Sequence, residues 1–256
     1  RERPVNADAD VVVIGAGPNA LVCAAYLAAA GLEVLVLEAR DRIGGNTVTE
    51  ELTLPGWRHD SCASAHVVLQ SNPLIRDDEL GLRSRYGLRY VHTDPAFIMP
   101  VGDEDALVVR RDVDATADEL ARWSPADATA LRQMLADWHG GLAAAHARWS
   151  AGLPPTGDEM DRRYDALRRR SAWDVVHSTF RHPVARALMS WLAFATIQPP
   201  HRPGTGALPA AIASGRLRFG WSTPVGGSGA LPAALAAYLT DHGGRVLTSA
   251  PVRRIH

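Results

Sequence analysis

Four consecutive apolar residues, Val11 to Ile14, run into Gly15-Ala16-Gly17-Pro18-Asn19-Ala20 and then into a helical apolar stretch from Leu21 to Ala30. Strand, glycine turn and helix in this order constrain the chain more than any other feature, because they build a cradle for a dinucleotide. Gly15 permits the sharp exit from the strand. Gly17 lacks the Cβ that would keep the backbone away from a pyrophosphate, and Pro18 sacrifices no hydrogen bond in the first helical turn. The third small position is Ala20, giving a GxGxxA pattern, and with Ala24 and Ala28 it forms a stripe that lets the helix lie close to a sheet.

The N-terminus of that helix offers backbone N–H groups and the positive end of its dipole to phosphates. A second strand, Glu33 to Leu37, ends in Glu38, 23 residues beyond Gly15 and placed to accept hydrogen bonds from a ribose diol. An acid at this point disfavours a 2′-phosphate, so NADP is a poor occupant. A glycine turn alone is a weak signal. Dinucleotide binding is predicted because strand, turn, small-residue helix, second strand and terminal acid agree.

The following segment, Glu38-Ala39-Arg40-Asp41-Arg42-Ile43-Gly44-Gly45, resembles the extension found after the second strand in FAD-dependent oxidoreductases of the phytoene desaturase-like and amine oxidase superfamily. The resemblance implies FAD as cofactor, with Ala39, Arg40, Arg42 and the Gly44-Gly45 backbone along the ribose and pyrophosphate. Asn46 and Thr47 would lead toward the flavin.

A second glycine stretch supports the same family. Pro224-Val225-Gly226-Gly227-Ser228-Gly229 feeds a helix with Leu231, Leu235, Tyr238 and Leu239 on one side, closed by Gly243-Gly244; Val246 to Ser249 and Val252 to Ile255 read as strands. By itself this could be another phosphate cradle, but it follows no clean strand and lacks a partner acid. It resembles the PxGGxGxLxxAL segment of phytoene desaturase-like flavoproteins. The resemblance implies that Val252 contacts adenine through its backbone and that Gly227 approaches the active-site side.

Between these motifs, residues 50 to 70 read as a loop with a Pro55-Gly56 turn, and carry His59, Asp60, Ser61, Ser64 and His66. His59, Asp60, Ser64 and His66 are weak acid/base candidates. The alternative is a loop bonding its own backbone, which is favoured for any single residue. A short helix is predicted at Asn72 to Leu80. Strands are predicted at Leu88 to His92, Phe97 to Val101 and Leu107 to Arg110, and the resemblance places them in the sheet of a substrate domain.

From Asp114 the pattern is helical. Ser124-Pro125-Ala126-Asp127 and Ser171-Ala172-Trp173-Asp174 are helix-start signatures. Trp123, Trp138, Trp149, Trp173 and Trp191 fall in this region and are read as core in preference to a substrate-cavity wall. Arg162 to Arg170, with Asp161 and Asp165 interleaved, reads as a solvated helix face. Val184 to Ile197 is an apolar helix ending before Pro199-Pro200, suited to burial, to lining a channel or to touching a membrane surface.

Composition excludes several function classes. A net charge of −1 gives no electrostatic case for nucleic acid or an anionic membrane, so membrane contact is at most peripheral. At 46% hydrophobic and 21% charged, the 256 residues suit one large or two modest cores. All 27 basic residues are Arg, so no Schiff base or lysine-held water comes from this chain. Cys23 and Cys62 have no metal-like or redox-motif spacing; both read as buried or incidental thiols, and no metal is expected. A reducing, cytoplasmic location is expected, and the longest apolar run is far too short to span a bilayer.

The expected fold is therefore α/β: a Rossmann-like FAD-binding domain with a mixed α+β substrate domain, incomplete at the C-terminus. The FAD-binding domain takes residues 1–70, the helix-rich substrate domain 71–225, and 226–256 return to the FAD side. By resemblance the activity is that of an FAD-dependent oxidoreductase, in which a substrate hydride passes to flavin N5. An apolar or polyene substrate comes first, an amine or alcohol next. Family members continue beyond this length, so a companion polypeptide is expected to supply the rest, from a cleaved precursor or a split gene. The alternatives are a redox-neutral flavoprotein isomerase or cyclase, and a flavin-free partner-binding protein of the GDP-dissociation-inhibitor type.

Overall fold

A computed structural model describes residues 9–255. In chain order, β1 is Val11–Ile14, α1 Pro18–Ala29, β2 Val34–Leu37, β3 Thr49–Glu51, β4 Arg58–Asp60, α2 Pro73–Arg76 and β5 Tyr90–Val91. Next come β6 Phe97–Val101, β7 Asp105–Val109, α3 Val113–Ala121 and α4 Pro125–Asp137, then a π-helical turn, Trp138–Leu142, and α5 Ala143–Ser150. The remainder is α6 Glu159–Arg169, α7 Ala172–Thr179, α8 Pro183–Phe194, α9 Leu208–Phe219, β8 Thr223–Pro224, α10 Ala230–Asp241 and β9 Arg245–Leu247. The chain divides into two compact units. One holds residues up to His92 together with those from Trp221 onward, and the other holds Thr93–Gly220.

The first unit is built on a parallel sheet of order β1-β2-β9, with Val12 beside Leu35, Ile14 beside Leu37, and Leu37 beside Leu247. Residues alternate between its faces, as the two-residue period of a strand requires. Val34 and Val36 lie in a core with Leu21, Ala24 and Ala25 of α1 and Leu235 and Leu239 of α10. The small residues of α1 allow that close approach; Ala24 and Ala25 are fully buried. On the other face Val12 and Ile14 are 52% and 51% exposed and Leu247 is 46% exposed. The sheet is thus apolar on both faces, the pattern of a parallel sheet covered on both sides.

Several local expectations are corrected. Residues 50–70 contain a β3–β4 hairpin, turned at Pro55-Gly56 with Gly56 at φ 82°, where a plain loop was expected. The helix expected over 72–80 stops at Arg76: Asp78 takes a left-handed φ of 53°, and its carboxylate accepts the N–H groups of Arg83 and Ser84 at 2.8 and 2.9 Å, turning the chain. Of Leu88 to His92 only Tyr90–Val91 is strand, paired with β8. Residues 252–255 form no strand. Ser249 has φ 53°, Ala250 N–H is taken by the Glu38 carbonyl at 2.8 Å, and Pro251 follows, so the extension of β9 breaks there.

In the second unit the β6–β7 hairpin and α3, α4, α7, α8 and α9 share a core that includes Leu107, Leu131, Phe180, Leu188 and Leu217. Both serine caps form, Ser124 Oγ accepting from Asp127 N–H at 3.2 Å and Ser171 Oγ from Asp174 N–H at 3.0 Å. The Asp127 side chain is itself buried, and its two oxygens accept the Arg181 and His182 N–H groups just before α8. Of the tryptophans read as core, Trp138 is buried and Trp123 packs partly against the core, whereas Trp149, Trp173 and Trp191 are exposed. They lie on the outer sides of short helices, where helical spacing alone does not say which side faces inward.

Candidate dinucleotide site

The cradle forms where β1 ends. Gly15 has φ 91°, a conformation that favours glycine, and a Cβ at either Gly15 or Gly17 would meet nothing within 4 Å. The backbone is therefore bare toward open space on that side. Gly17 is the N-cap of α1, with Pro18 in the first turn, and no side chain among the described residues caps the helix. Its first-turn amides, Asn19 and Ala20 among them, are left without a side-chain acceptor, as an anion site at a helix N-terminus needs.

Glu38 sits at the end of β2 and is buried. Its Oε2 accepts the Ala16 N–H at 2.7 Å and its Oε1 the Arg40 N–H at 2.8 Å. These two bonds, Arg40 foremost, hold its carboxyl below the usual glutamate value. A carboxylate has about four lone-pair positions; two are used here, which leaves acceptors for a ribose diol.

The extension after β2 folds back on the glycine turn. Gly44 N–H donates to the Ala16 carbonyl at 2.8 Å, and a Cβ on Gly45 would lie 3.2 Å from Gly17 Cα, so the two glycine backbones meet face to face. Gly44 has φ 107°, and a Cβ there would come within 2.6 Å of the Thr47 carbonyl oxygen. Arg40 Nη1 donates to the Gly45 carbonyl at 3.3 Å, while Arg42 pairs with Glu50 at 2.7 Å. Ala39 and Asn46 are exposed and Thr47 is buried. Ser249 and Ala250 bond the Arg40 and Glu38 carbonyls, which brings the chain to the end of β2 just ahead of Val252.

Gly227 belongs to a latch that joins this region to α10. A Cβ there would come within 2.2 Å of Thr49 Oγ1 and 2.9 Å of Asp60 Oδ1. Thr49 O–H donates to Asp60 Oδ1 at 2.6 Å and accepts from Gly229 N–H at 3.0 Å, and Asp60 also accepts Ser228 N–H at 2.8 Å. Sequence reasoning missed Thr49 and Ser228, since nothing local marks a threonine that bonds Gly229, 180 residues on, or a serine that bonds Asp60, 168 residues back.

The four acid/base candidates do not converge. Asp60 is absorbed in the latch. His59 Nε2 lies 2.8 Å from Thr53 Oγ1, and Ser64 is exposed with its carbonyl bonded to the Thr223 hydroxyl. His66 is buried, its Nδ1 is 3.1 Å from the Tyr90 hydroxyl, and burial pushes its pKa down. Burial likewise pushes the Tyr90 hydroxyl up, so both members of that pair are neutral near pH 7. Among the described residues no His, Cys, Asp and Glu cluster suits a metal. Cys23 and Cys62 are exposed thiols, not buried ones. No described helix is long and apolar enough to cross a membrane.

A family model described as an NAD(P)-binding Rossmann-like domain matches residues 13–78, the segment that carries this cradle. A subunit of the limonene dehydrogenase of Castellaniella defragrans is 38% identical over 129 residues, covering 50% of this chain and 23% of that subunit. Pyridine nucleotide-disulfide oxidoreductase domain-containing protein 2 of Rattus norvegicus is 28% identical over 285 residues, covering 96% of this chain and 48% of that protein. A solved putrescine oxidase variant superposes with a TM-score of 0.59 at 24% identity, covering 96% of this chain and 51% of its own. The chain thus spans about half the length of the proteins that it matches from end to end.

Proposed function

We propose that the chain is the FAD-binding half of an oxidoreductase of the amine oxidase superfamily, one that acts on an apolar substrate and is completed by a companion polypeptide. The observation that carries this reading is the uncapped start of α1, set between the bare backbones of Gly17 and Gly45 with the anionic Glu38 beside it. The site fits an adenine dinucleotide: Gly15, Gly17 and the α1 amides take the diphosphate, and Glu38 accepts from the ribose hydroxyls. Gly44, Gly45, Asn46 and Thr47 continue the cradle, Arg40 and Arg42 flank it, and Val252 with Gly227 closes the adenine and flavin sides.

Bound FAD supplies the hydride acceptor. The chain's own part is to hold the cofactor, orient it and keep water from the diphosphate. A flavin-free partner-binding protein would have no use for Gly45 packed against Gly17, so that alternative is not favoured. The apolar substrate is supported by the likeness to a limonene dehydrogenase subunit; this chain holds no lysine, so any lysine-dependent step falls to the companion. The companion is supported by the same relative's designation as a subunit, and by the exposed Val12, Ile14 and Leu247 on the open face of the sheet. Anaerobic mixing of the native flavoprotein with a terpene hydrocarbon and, separately, with putrescine tests the substrate class. Flavin bleaching by the hydrocarbon is expected; bleaching by the amine alone overturns it.

A further inference from the structure

The second unit carries a groove of about 720 Å³ lined by α5, α6 and the segment between them. That volume lies within the range of small-molecule sites, about 300–1,000 Å³. Its apolar part is Trp149, Leu153 and Tyr164: Trp149 and Leu153 are 53% and 57% exposed, and Tyr164 is buried with its ring centroid 6.3 Å from that of Trp149. An aromatic surface is thus presented to solvent rather than packed away.

The polar part is biased toward cations. Arg148, Arg162, Arg168 and Arg169 line the groove with only Asp161 and Asp165. Asp165 is taken by Arg168 at 2.5 Å and Arg169 at 2.6 Å, and Arg168 also stands 5.2 Å over the Trp149 ring. Asp161 bonds the Thr156 hydroxyl and the Gly157 N–H. Arg148 and Arg162 donate to the Pro154 and Gly157 carbonyls at 2.5 and 2.6 Å, which carry no formal charge. Neither guanidinium forms an ion pair with a lining carboxylate among the described residues; the neighbouring Asp158, outside the lining, feels the Arg148 charge but is bonded to the Asp161 N–H and the Thr156 hydroxyl. In addition, Arg148 Nε is buried without a hydrogen-bond partner among the described residues, at a site where such donors are ordinarily satisfied.

We propose that this groove binds a small amphipathic anion, its carboxylate at Arg148 and its apolar body against Trp149 and Leu153. The site is distinct from the dinucleotide cradle in the first unit and does not depend on it. Calorimetric titration of the natively purified protein with 2-naphthoate, beside the neutral 2-naphthalenemethanol, tests the proposal. Saturable one-to-one binding of the naphthoate is expected, about tenfold tighter than the alcohol. Arg148→Lys, which keeps the charge but removes the Nε donor, is expected to weaken naphthoate about tenfold. Trp149→Ala, at a position 53% exposed, is expected to weaken both ligands; if Arg148→Lys fails to fold, this variant decides. Equal affinity for acid and alcohol, no binding of the acid, or naphthoate affinity unaltered in Trp149→Ala overturns the proposal. So does binding confined to vesicles of phosphatidylglycerol, which would make the groove a lipid contact.

Discussion

Glu38 Oε2 accepts the Ala16 N–H at 2.7 Å, so the acid that ends β2 is bonded directly to the glycine turn that follows β1. The bond orders the turn and, second to the bond from the Arg40 N–H, favours the ionised carboxylate beside the place where a ribose would lie. In the proposed reading one side chain thereby serves both cofactor binding and local stability.

Glu38→Gln separates the two roles. Glutamine retains one acceptor oxygen for two N–H donors, so one donor is left wanting, a loss of about 1–3 kcal/mol. FAD affinity is expected to fall about tenfold or more. Because the folded carboxyl titrates below its unfolded value of 4.5, its contribution is present above that pH and is lost as pH falls through the lower folded value. Urea midpoints of wild type and variant should therefore converge in acid; a gap independent of pH would refute the assignment.

Gly227→Ala tests the latch. At φ 93° an alanine is strained by about 1–3 kcal/mol, and its Cβ would also collide with Thr49 Oγ1. Asp60→Asn should likewise lower the urea midpoint, with a loss of roughly 1.5–3 kcal/mol in unfolding free energy for a lost charged acceptor. A pH-dependent rate change in Asp60→Asn with an unaltered midpoint would restore the acid/base reading of that residue.

Much of the cradle was legible in the sequence because its parts are local. Gly15, Gly17, Ala20 and Glu38 sit at spacings set by one strand, one turn and one helix, and both glycine-turn geometry and helix start follow from residue type. The latch was not legible: Asp60 in a polar cluster looks the same whether it serves a substrate or the Ser228 N–H, and only the fold brings α10 to it. The same holds for Trp149, Trp173 and Trp191, whose exposure depends on how short helices rotate against a core. Residues 252–255 misled because β-branched composition favours extension, while Ser249 and Pro251 break it.

His66 should impose a pH dependence on folding. Burial lowers its pKa from 6.5, so the stability it contributes is complete above that value and is lost as pH falls through the lower folded value. Stability measured by urea unfolding from pH 7 down to about pH 5 should fall less steeply in His66→Asn than in wild type. Equal slopes would mean that His66 titrates in the fold as it does in the unfolded chain, and would refute the assignment.

The open sheet face predicts a contact with the companion. Val12→Ser with Ile14→Ser leaves the α1–α10 side of the sheet intact, since both residues face away from it. Retention of the companion on an affinity column should drop about tenfold or more, with little change in far-ultraviolet circular dichroism. Full retention would place the interface elsewhere.

The central claim, that this chain is the FAD-binding half of a two-part flavoprotein, is tested most directly by the near-ultraviolet and visible absorption spectrum of the natively purified protein, run beside a denaturing gel. The account predicts flavin bands that copurify with a second polypeptide and that are weaker, relative to protein, in Glu38→Gln. A preparation that holds the companion yet stays colourless after incubation with FAD would contradict it.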